Sequence, residues 1–325
     1  MLLQPPRDRA GTQRACSDPR HAYGDVFAML ILHDPRCTGS GSSMRPEQPA
    51  RVLRSAAHLR RVHPDWTWRE PAAADGDDAT LLTAHTAAHM KRLSQPRDFD
   101  ADTPFFPEIG DHARRAAAAA VGAARHALAS RPSDPVFSLM RPPGHHASAG
   151  QAMGFCYLNQ IAIAALVART TLGARRVAVW DFDAHHGNGT EAILLGRDGV
   201  FFTSVHQHPA YPGTGTQDHT PNVRNWPVPP RSPRLRHMKA LRESFDAVLA
   251  FTPDLILVSA GFDAYARDPI TSMTLEAEDF AALGSWLGQA GRPAAAVLEG
   301  GYHDDLPLLI DAFLTAWDKA AKASA

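Results

Sequence analysis

The chain has 325 residues, of which 44% are hydrophobic and 21% are charged, and its formal net charge is −1 at pH 7 with histidine neutral. This length and apolar content allow one large α/β domain or two small ones, and they argue against global disorder. The near-zero charge argues against a broad basic surface for nucleic acid. No apolar run approaches the roughly 20 residues that a membrane-spanning helix needs.

The N-terminal segment differs from the rest of the chain. Residues 1–28 contain no apolar stretch long enough for a signal peptide, and aspartates accompany their arginines. We predict that 1–28 is a disordered extension or results from a start codon assigned too early, and that 29–325 forms a single domain, which opens with the strand MLILHD. The three cysteines, Cys16, Cys37 and Cys156, show neither a disulfide framework nor a CxxC motif, which favours a reducing cytoplasm.

Short apolar runs alternate with alanine-rich amphipathic stretches along the chain. In order, the strand-like runs are FAMLILHD, PVFSLMRPPG, RRVAVWDFD, GVFFTSVH, PDLILVSAGFD and AAAVLEGGY, and the clearest helical stretches are DHARRAAAAAVGAARHALAS and NQIAIAALVARTTLG. This alternation predicts an α/β fold with a mostly parallel central sheet covered on both faces. The proline-rich NWPVPPRSPRLR is predicted to be a loop, and the region from Asn222 to Arg234 an interface or a lid.

Five of the six strand-like runs end in a polar or glycine-rich motif. These motifs are RPPGHH, DFDAHHGNG, SVHQHPAYPGTG, SAGFDA and EGGYH. Ligands of open α/β sheets bind beyond the carboxyl ends of the strands. The sequence therefore predicts one composite site built from residues that are far apart along the chain.

Three of these polar residues have the character of metal ligands. Asp183 and His185 lie two residues apart on a turn that leaves a strand, and Asp263 follows another strand. Three protein ligands with coordination left for water are typical of a catalytic zinc site rather than a structural one. The alternative, that they are only caps and loop residues, is weakened by the histidine pair and the tyrosine at neighbouring strand ends.

An acid–base pair and an oxyanion donor accompany the metal ligands. His145 and His146 follow a rigid Pro-Pro-Gly turn, and histidine suits general acid–base catalysis because its unperturbed pKa lies near physiological pH. Asp181 and Asn188 flank the metal ligands and are predicted to fix the tautomers of the two imidazoles. Tyr302 follows two glycines, and its hydroxyl together with a metal can polarise a carbonyl and stabilise an oxyanion.

Six motifs resemble the zinc-dependent histone deacetylase superfamily when they are taken in chain order: RPPGHHA, GFCYLNQIAIA, DFDAHHGNGT, SVHQHPAYPGTG, SAGFDA and LEGGYH. The resemblance runs from Met29 to Leu314 and is to the bacterial, class II-like branch, which includes histone deacetylase-like and acetylpolyamine amidohydrolases. It implies the arginase/deacetylase fold, a three-layer αβα sandwich. It also implies one catalytic Zn²⁺ and a structural K⁺.

The resemblance also implies roles for individual residues. His146 matches the general base and acid that activates the metal-bound water, and His145 matches its electrostatic partner. Asn188 looks like the class II pattern and is expected to stabilise the imidazolium of His146 less than an aspartate would. Tyr302 matches the catalytic tyrosine, which argues against a non-catalytic acyl-lysine binding module. The zinc ligands of the family correspond to Asp183, His185 and Asp263.

The substrate tunnel is implied in the same way. Phe155 and Tyr211 match the two aromatic walls of the acyl-lysine tunnel, although the second wall is usually phenylalanine. Gly154 and Gly301 are also expected to line the tunnel, and Asp102 matches a rim carboxylate that grips the substrate backbone. The implied potassium site consists of Asp181, Asp183, His185, Ser204 and Val205, and Arg51 matches an arginine beneath the site.

The expected reaction is hydrolysis of an N-acyl amide to a carboxylate, acetate above all, and a free amine. Ile270 stands where polyamine-selective relatives place an acidic gatekeeper, which favours acetyl-lysine in peptides or proteins, or a small N-acetylated metabolite. Asp268 and Glu108 could still supply negative charge near the rim, so acetylpolyamines remain the alternative substrate.

Two other chemistries are weaker interpretations. An arginase-like guanidino hydrolase would share the fold, but its second set of metal ligands is missing from DAHHGNG and GFDAYARDP. A cysteine hydrolase could be built on Cys156, but this residue precedes a helix opening and is expected to be a packing residue. The sequence leaves a homo-oligomer open, and its alanine and arginine content hints at a GC-rich bacterium.

Overall fold

The computed structural model describes residues 29–131 and 134–324, so the predicted extension over 1–28 lies outside the described residues. One sheet of eight strands has the order β2-β1-β3-β8-β7-β4-β5-β6. All of its strand pairings are parallel. The strands are β1 Leu30–Leu32, β2 Thr67–Arg69, β3 Val136–Ser138, β4 Val177–Asp181, β5 Val200–Gln207, β6 Val223–Val228, β7 Leu255–Ala260 and β8 Ala294–Leu298.

Helices flank this sheet, as the alternating pattern predicts. They are α1 Ala50–Val62, α2 Asp78–Leu81, α3 Ala87–Arg92, α4 Ile109–Ala129, α5 Gln160–Thr170, α6 Asn188–Leu194, α7 Arg234–Ala250, α8 Ala277–Gln289 and α9 Leu306–Ala323. The helices α4 and α5 pack on each other and on the sheet, while α9 packs against both α8 and α1. Within the described ranges, no helix is both long enough and apolar enough to cross a membrane.

The six predicted strands are all present, and the structure adds β2 and β6 at the two edges of the sheet. The prediction of a loop over NWPVPPRSPRLR is therefore wrong for its first residues, because β6 pairs with β5 there. Pro227 is tolerated because an edge strand has one side without ladder hydrogen bonds. This pairing also excludes a lid over residues 223–228, and α7 begins at Arg234. An interface over the region from Asn222 to Arg234 stays a prediction.

The centre of the sheet sets the position of the site. β4, β7 and β8 are buried at every residue, which explains why they read as continuous apolar runs rather than alternating ones. The four neighbouring strands β3, β8, β7 and β4 point their carboxyl ends the same way. Their polar terminal motifs therefore meet at one edge of the sheet.

Candidate active site

Three strand-end residues bring two carboxylates and one imidazole together. Asp183 and His185 follow β4, Asp263 follows β7, and their buried donor atoms lie within 4.8 Å of one another. The Nδ1 of His185 is 2.8 Å from a carboxylate oxygen of Asp263 and 3.2 Å from one of Asp183. The parallel pairing of β4 with β7 produces this arrangement because it places their carboxyl ends side by side.

The donor set fits a zinc ion. Backbone N–H groups fix the carboxylates, since Gly300 donates to Asp183 at 2.7 Å and Ala184 donates to Asp263 at 2.8 Å. Two buried carboxylates repel each other and are costly to bury without a cation. Three protein ligands are the number typical of a catalytic zinc centre, so the residues present fit this ion.

The two histidines of RPPGHH lie beside this cluster with separate partners. The Nδ1 of His145 is 3.1 Å from Asp181, and the Nδ1 of His146 is 2.8 Å from the amide oxygen of Asn188. Their ring centroids are 4.1 Å apart. Because Asn188 accepts from Nδ1–H, the Nε2 of a neutral His146 is left as a proton acceptor.

Their surroundings shift the two imidazoles in opposite directions. Burial and the neighbouring imidazoles of His145 and His185 hold the pKa of His146 well below its usual 6.5. Burial also opposes charge on His145, but the carboxylates of Asp183 and Asp181 outweigh it and raise the pKa of His145 to about 10. At neutral pH His145 is therefore an imidazolium and His146 a neutral base.

A cavity of about 270 Å³ opens over these groups. Its lining consists of Arg45, Pro46, Asp102, His146, Gly154, Phe155, His185, Tyr211, Ile270 and Tyr302. A larger and shallower groove of about 800 Å³ lies along α9 and contains none of the strand-end residues. The smaller cavity therefore carries the chemistry, although it is at the lower limit of the usual size of ligand sites.

Two aromatic rings and a tyrosine hydroxyl shape the cavity. The ring of Tyr211 meets His146 edge-on with a centroid distance of 5.2 Å, and Phe155 lies 5.8 Å from the ring of Tyr302. Phe155 has a φ of 66°, a left-handed conformation that is strained for a bulky residue. This strain is held by the surrounding fold and turns the phenyl ring into the cavity wall.

The glycines of the predicted tunnel behave differently from each other. Gly154 lines the cavity with a φ of 56°, and an added Cβ there would overlap the ring of His146. Gly301 does not line the cavity, contrary to the prediction. Its carbonyl instead accepts a hydrogen bond from Arg51 at 2.7 Å, and an added Cβ would meet Leu306 and Phe262 in the core.

Arg51 lies beneath the site, as the resemblance implies, and supports Tyr302. Its guanidinium donates to the carbonyls of Glu299 and Gly301 at 2.5 and 2.7 Å and lies 4.7 Å from the centre of the Tyr302 ring. Glu47 pairs with Arg51 at 3.4 Å and with the buried Arg141 at 2.6 Å. This bridging role of Glu47 was not predicted, because Glu47 lies outside the strand-end motifs.

Of two further carboxylates near the site, Glu299 was not predicted and Asp268 was predicted at a different place. Glu299 is fully buried, and burial raises its pKa to about 7 although His145 opposes the shift. Asp268 was expected near the rim, but it is 7% exposed and accepts a hydrogen bond from the backbone N–H of Tyr302 at 2.8 Å. It therefore positions the tyrosine rather than the substrate. Glu108 is the N-cap residue directly before α4 and lies outside the cavity lining.

The rim of the cavity combines predicted and unpredicted residues. Asp102 and Ile270 line it as expected, but Arg45 and Pro46 were missed. They belong to the segment between β1 and α1, which carries no strand-end signal.

The residues of the implied potassium site include neighbours in the sheet, since the register of β4 and β5 pairs Asp181 with Ser204. Potassium at this position stays a prediction.

Cys156 lies in a second buried cluster with His145 and Glu299. Burial raises the pKa of this thiol well above its usual value, and the side chain is fully buried. Only a thiolate acts as a nucleophile or metal ligand. The structure therefore supports the expectation that Cys156 is a packing residue.

The fold and the site are those of a hydrolase of the α/β class with a candidate metal-binding cluster, and comparisons with known proteins identify its family. The histone deacetylase domain matches residues 45–316, and the chain belongs to this family. It is a deacetylase or amidohydrolase, an enzyme that hydrolyses amide bonds.

Three relatives illustrate the range of similarity. A probable deacetylase of Methanothermobacter thermautotrophicus is 42% identical over 85% of this chain and 86% of its own. Acetylpolyamine amidohydrolase 2 of Pseudomonas aeruginosa is 31% identical over 85% of both chains. The crystal structure of acetylpolyamine aminohydrolase from Burkholderia pseudomallei superimposes with a TM-score of 0.82 and 26% identity, and covers 90% of this chain and 99% of that one.

Proposed function

We propose that the protein is a zinc-dependent deacetylase that releases acetate from N-acetylated alkyl amines, with acetyl-lysine as the leading substrate. One observation carries the proposal: His146, His185 and Tyr302 line the same cavity, so the base, a metal ligand and the oxyanion donor face one bound amide. A binding module without catalysis would not need the base and the tyrosine together.

A zinc ion held by Asp183, His185 and Asp263 would polarise the acyl carbonyl and lower the pKa of a water molecule. The Nε2 of neutral His146 accepts the proton of the attacking water, while Asn188 holds the opposite ring nitrogen. The hydroxyl of Tyr302 donates to the developing oxyanion. His146 then protonates the leaving amine.

The charge on His145 supports this sequence of proton transfers. Its hydrogen bond to Asp181 and its raised pKa keep it protonated at neutral pH. A fixed positive charge beside His146 keeps the resting His146 neutral, and it also favours return of the proton to the leaving amine. Asp181 is therefore a positioning and electrostatic partner rather than a proton acceptor.

The form of the cavity supports a linear substrate. An aliphatic chain with an amide at its end fits between Phe155 and Tyr211. A second candidate substrate is an acetylpolyamine, as named for two of the relatives. The observation in its favour is that Asp102 lies at the rim. Burial raises the pKa of Tyr211, and the nearby carboxylates of Asp100 and Asp102 add to this shift.

The remaining expectations accompany this proposal. A structural potassium ion would bind through Asp181, Asp183, His185, Ser204 and Val205. Cys37 and Cys156 are free buried thiols, which supports a reducing cytoplasm as the location. A homo-oligomer stays a prediction that size measurement in solution would test.

Acetate release tests the proposal. The zinc-loaded protein is incubated with an acetyl-lysine peptide, free acetyl-lysine, acetylputrescine and acetylspermidine, and Tyr302→Phe is assayed beside it. Tyr265→Phe is the matched control, since its hydroxyl bonds Asp305 outside the cavity. We expect release that falls at least about 100-fold in Tyr302→Phe and persists in the control. Equal release by both variants would refute the assigned role of Tyr302, and no release by the wild type would refute the deacetylase.

A further inference from the structure

We propose that the rim of the cavity binds a zwitterion, with Arg45 receiving the α-carboxylate and Asp102 the α-ammonium group of a free Nε-acetylated diamino acid such as Nε-acetyl-lysine. The inference rests on the proposed deacetylase function and narrows its substrate class. It assigns specificity to Arg45, a residue outside every strand-end motif.

The charges of the cavity are few and opposite in sign. Apart from the two histidines, Arg45 and Asp102 are the only charged side chains among the described residues that line the cavity. The guanidinium of Arg45 donates to the carbonyl of Ala101 at 2.9 Å. Because Ala101 directly precedes Asp102, this hydrogen bond holds the guanidinium near Asp102. The backbone N–H of Asp102 is held in turn by the carboxylate of Asp100 at 2.9 Å.

The guanidinium of Arg45 and the carboxylate of Asp102 both remain available to a ligand. Among the described residues, no ion pair joins Arg45 to Asp102, and the carboxylate of Asp102 accepts no hydrogen bond. The guanidinium offers five N–H donors, of which Ala101 engages one. A ligand can therefore meet a free cation and a free anion at the same opening.

The lining residues Tyr211 and Ile270 supply no charge, and the nearby carboxylate of Asp100 accepts the hydrogen bond from the backbone N–H of Asp102. Tyr211 and Ile270 line the opening and are 41% and 37% exposed. An acetylpolyamine carries ammonium groups and no anion, so it would bring a cation towards Arg45 without a compensating carboxylate. A lysine within a peptide has neutral amides on both sides of its Cα atom. Of these three substrate classes, only the free amino acid matches both signs.

The size of the cavity agrees with a small ligand. About 270 Å³ is below the usual range for drug-sized ligands. One extended acetamidobutyl chain fills such a tunnel and leaves its compact head at the opening. Hydrogen bonds between charged groups are the stronger kind, and each one contributes about 10-fold or more to binding when it is partly desolvated.

Four compounds that share the same acetamidobutyl chain and differ in their charged groups test the proposal. Nε-acetyl-lysine carries both charges, 6-acetamidohexanoate lacks the ammonium, N-acetylcadaverine lacks the carboxylate, and Nα,Nε-diacetyl-lysine methylamide carries neither. The measured quantity is kcat/KM for acetate release by the zinc-loaded wild type, Arg45→Gln and Asp102→Asn. Arg61→Gln is the control, since Arg61 lies outside the cavity lining and its guanidinium hydrogen-bonds the ring of His58 on α1.

We expect the wild type to prefer Nε-acetyl-lysine by about 10-fold over each compound with one charge, and by a larger factor over the uncharged compound. Arg45→Gln should lower kcat/KM about 10-fold for the two carboxylate-bearing compounds relative to N-acetylcadaverine, and Asp102→Asn should do so for the two ammonium-bearing compounds relative to 6-acetamidohexanoate. Variants that change all four compounds alike, or a wild type that prefers the capped compound, would overturn the zwitterion site and leave the deacetylase standing. Absence of release from all four would overturn both.

Discussion

A carboxylate oxygen of Glu299 lies 2.6 Å from the backbone nitrogen of Gly144 and accepts its hydrogen bond. The same oxygen accepts from the N–H of His145 at 3.2 Å. Glu299 follows β8 and Gly144 follows β3, which are neighbours in the sheet. One buried side chain therefore ties the turn that carries the two histidines to the turn that carries Tyr302.

Removing this tie should misplace the catalytic base. For Glu299→Ala we expect kcat to fall about 10- to 100-fold with little change in KM, because small displacements of a positioned group are costly. Glu299→Gln keeps an acceptor of the same shape and should retain most of kcat. Steady-state kinetics of the two variants measure these effects. An equal loss of kcat in both variants would show that the negative charge of Glu299 is required, rather than the position of its hydrogen-bond acceptor.

Gly300 lies against both metal-binding carboxylates. A Cβ at this position would overlap the side chains of Asp263 and Asp183, so we expect Gly300→Ala to lose its zinc at a wild-type level of folding. Metal analysis after gel filtration, together with circular dichroism, provides the measurement. Gly150→Ala is the matched control, since an added Cβ there meets only the hydroxyl of Thr86 at 4.0 Å. Full zinc content in Gly300→Ala would contradict the assigned ligands.

Asn188 sets the basicity of His146. Exchanging its amide oxygen for a carboxylate stabilises the imidazolium, so Asn188→Asp should raise the pKa of His146. The base must be neutral in the free enzyme, and the acidic limb of the kcat/KM profile should therefore move to higher pH. A profile measured over the acidic range in both proteins would show the shift. An unmoved limb would mean that His146 is not the group that titrates.

A carboxylate far from the site should contribute to stability in a pH-dependent way. Asp311 on α9 accepts hydrogen bonds from His58 and His63 at 2.8 and 2.7 Å. Burial alone would raise its pKa, but these hydrogen bonds lower it below the usual 3.8. The stabilisation by ionised Asp311 is thus fully present well above pH 3.8, the usual pKa of an aspartate. It is lost as the pH falls through the lower pKa that Asp311 has in the folded protein.

Asp311→Asn should accordingly lower the free energy of unfolding by about 1 kcal/mol at pH 7 and by less at about pH 3. Urea denaturation at both pH values measures this difference. Asp246→Asn on α7 is the control, because its ion pair with Arg242 is largely exposed and is expected to contribute little. A loss in Asp311→Asn that is independent of pH would contradict the assignment.

The sequence predicted the central strands and their terminal motifs because both are local patterns. Buried parallel strands read as apolar runs, and the residues that follow each run are the polar groups of the site. β2 escaped prediction because it is short and only partly buried, and β6 because its proline suggests a loop. These edge strands are defined by pairing with a neighbour, which a local pattern does not encode.

The groups around the catalytic residues were harder to predict for the same reason. Glu299 lies directly before the Gly-Gly-Tyr segment, yet its partner is a backbone N–H on another strand. Arg45 and Glu47 reach the site from the segment before α1, so their positions depend on the packing of that segment. Asp268 looked like a rim residue from its loop context, although the loop folds it inward against Tyr302.

A zinc titration tests the central claim most directly. Metal-free protein receives increasing amounts of Zn²⁺, and acetate release from Nε-acetyl-lysine is measured at each step. The three ligands Asp183, His185 and Asp263 predict activity that rises from zero and saturates at one zinc ion per chain, and that stays absent in Asp263→Asn at the same ratio. Activity that needs two ions per chain, or that is present without metal, would contradict this account of the active site.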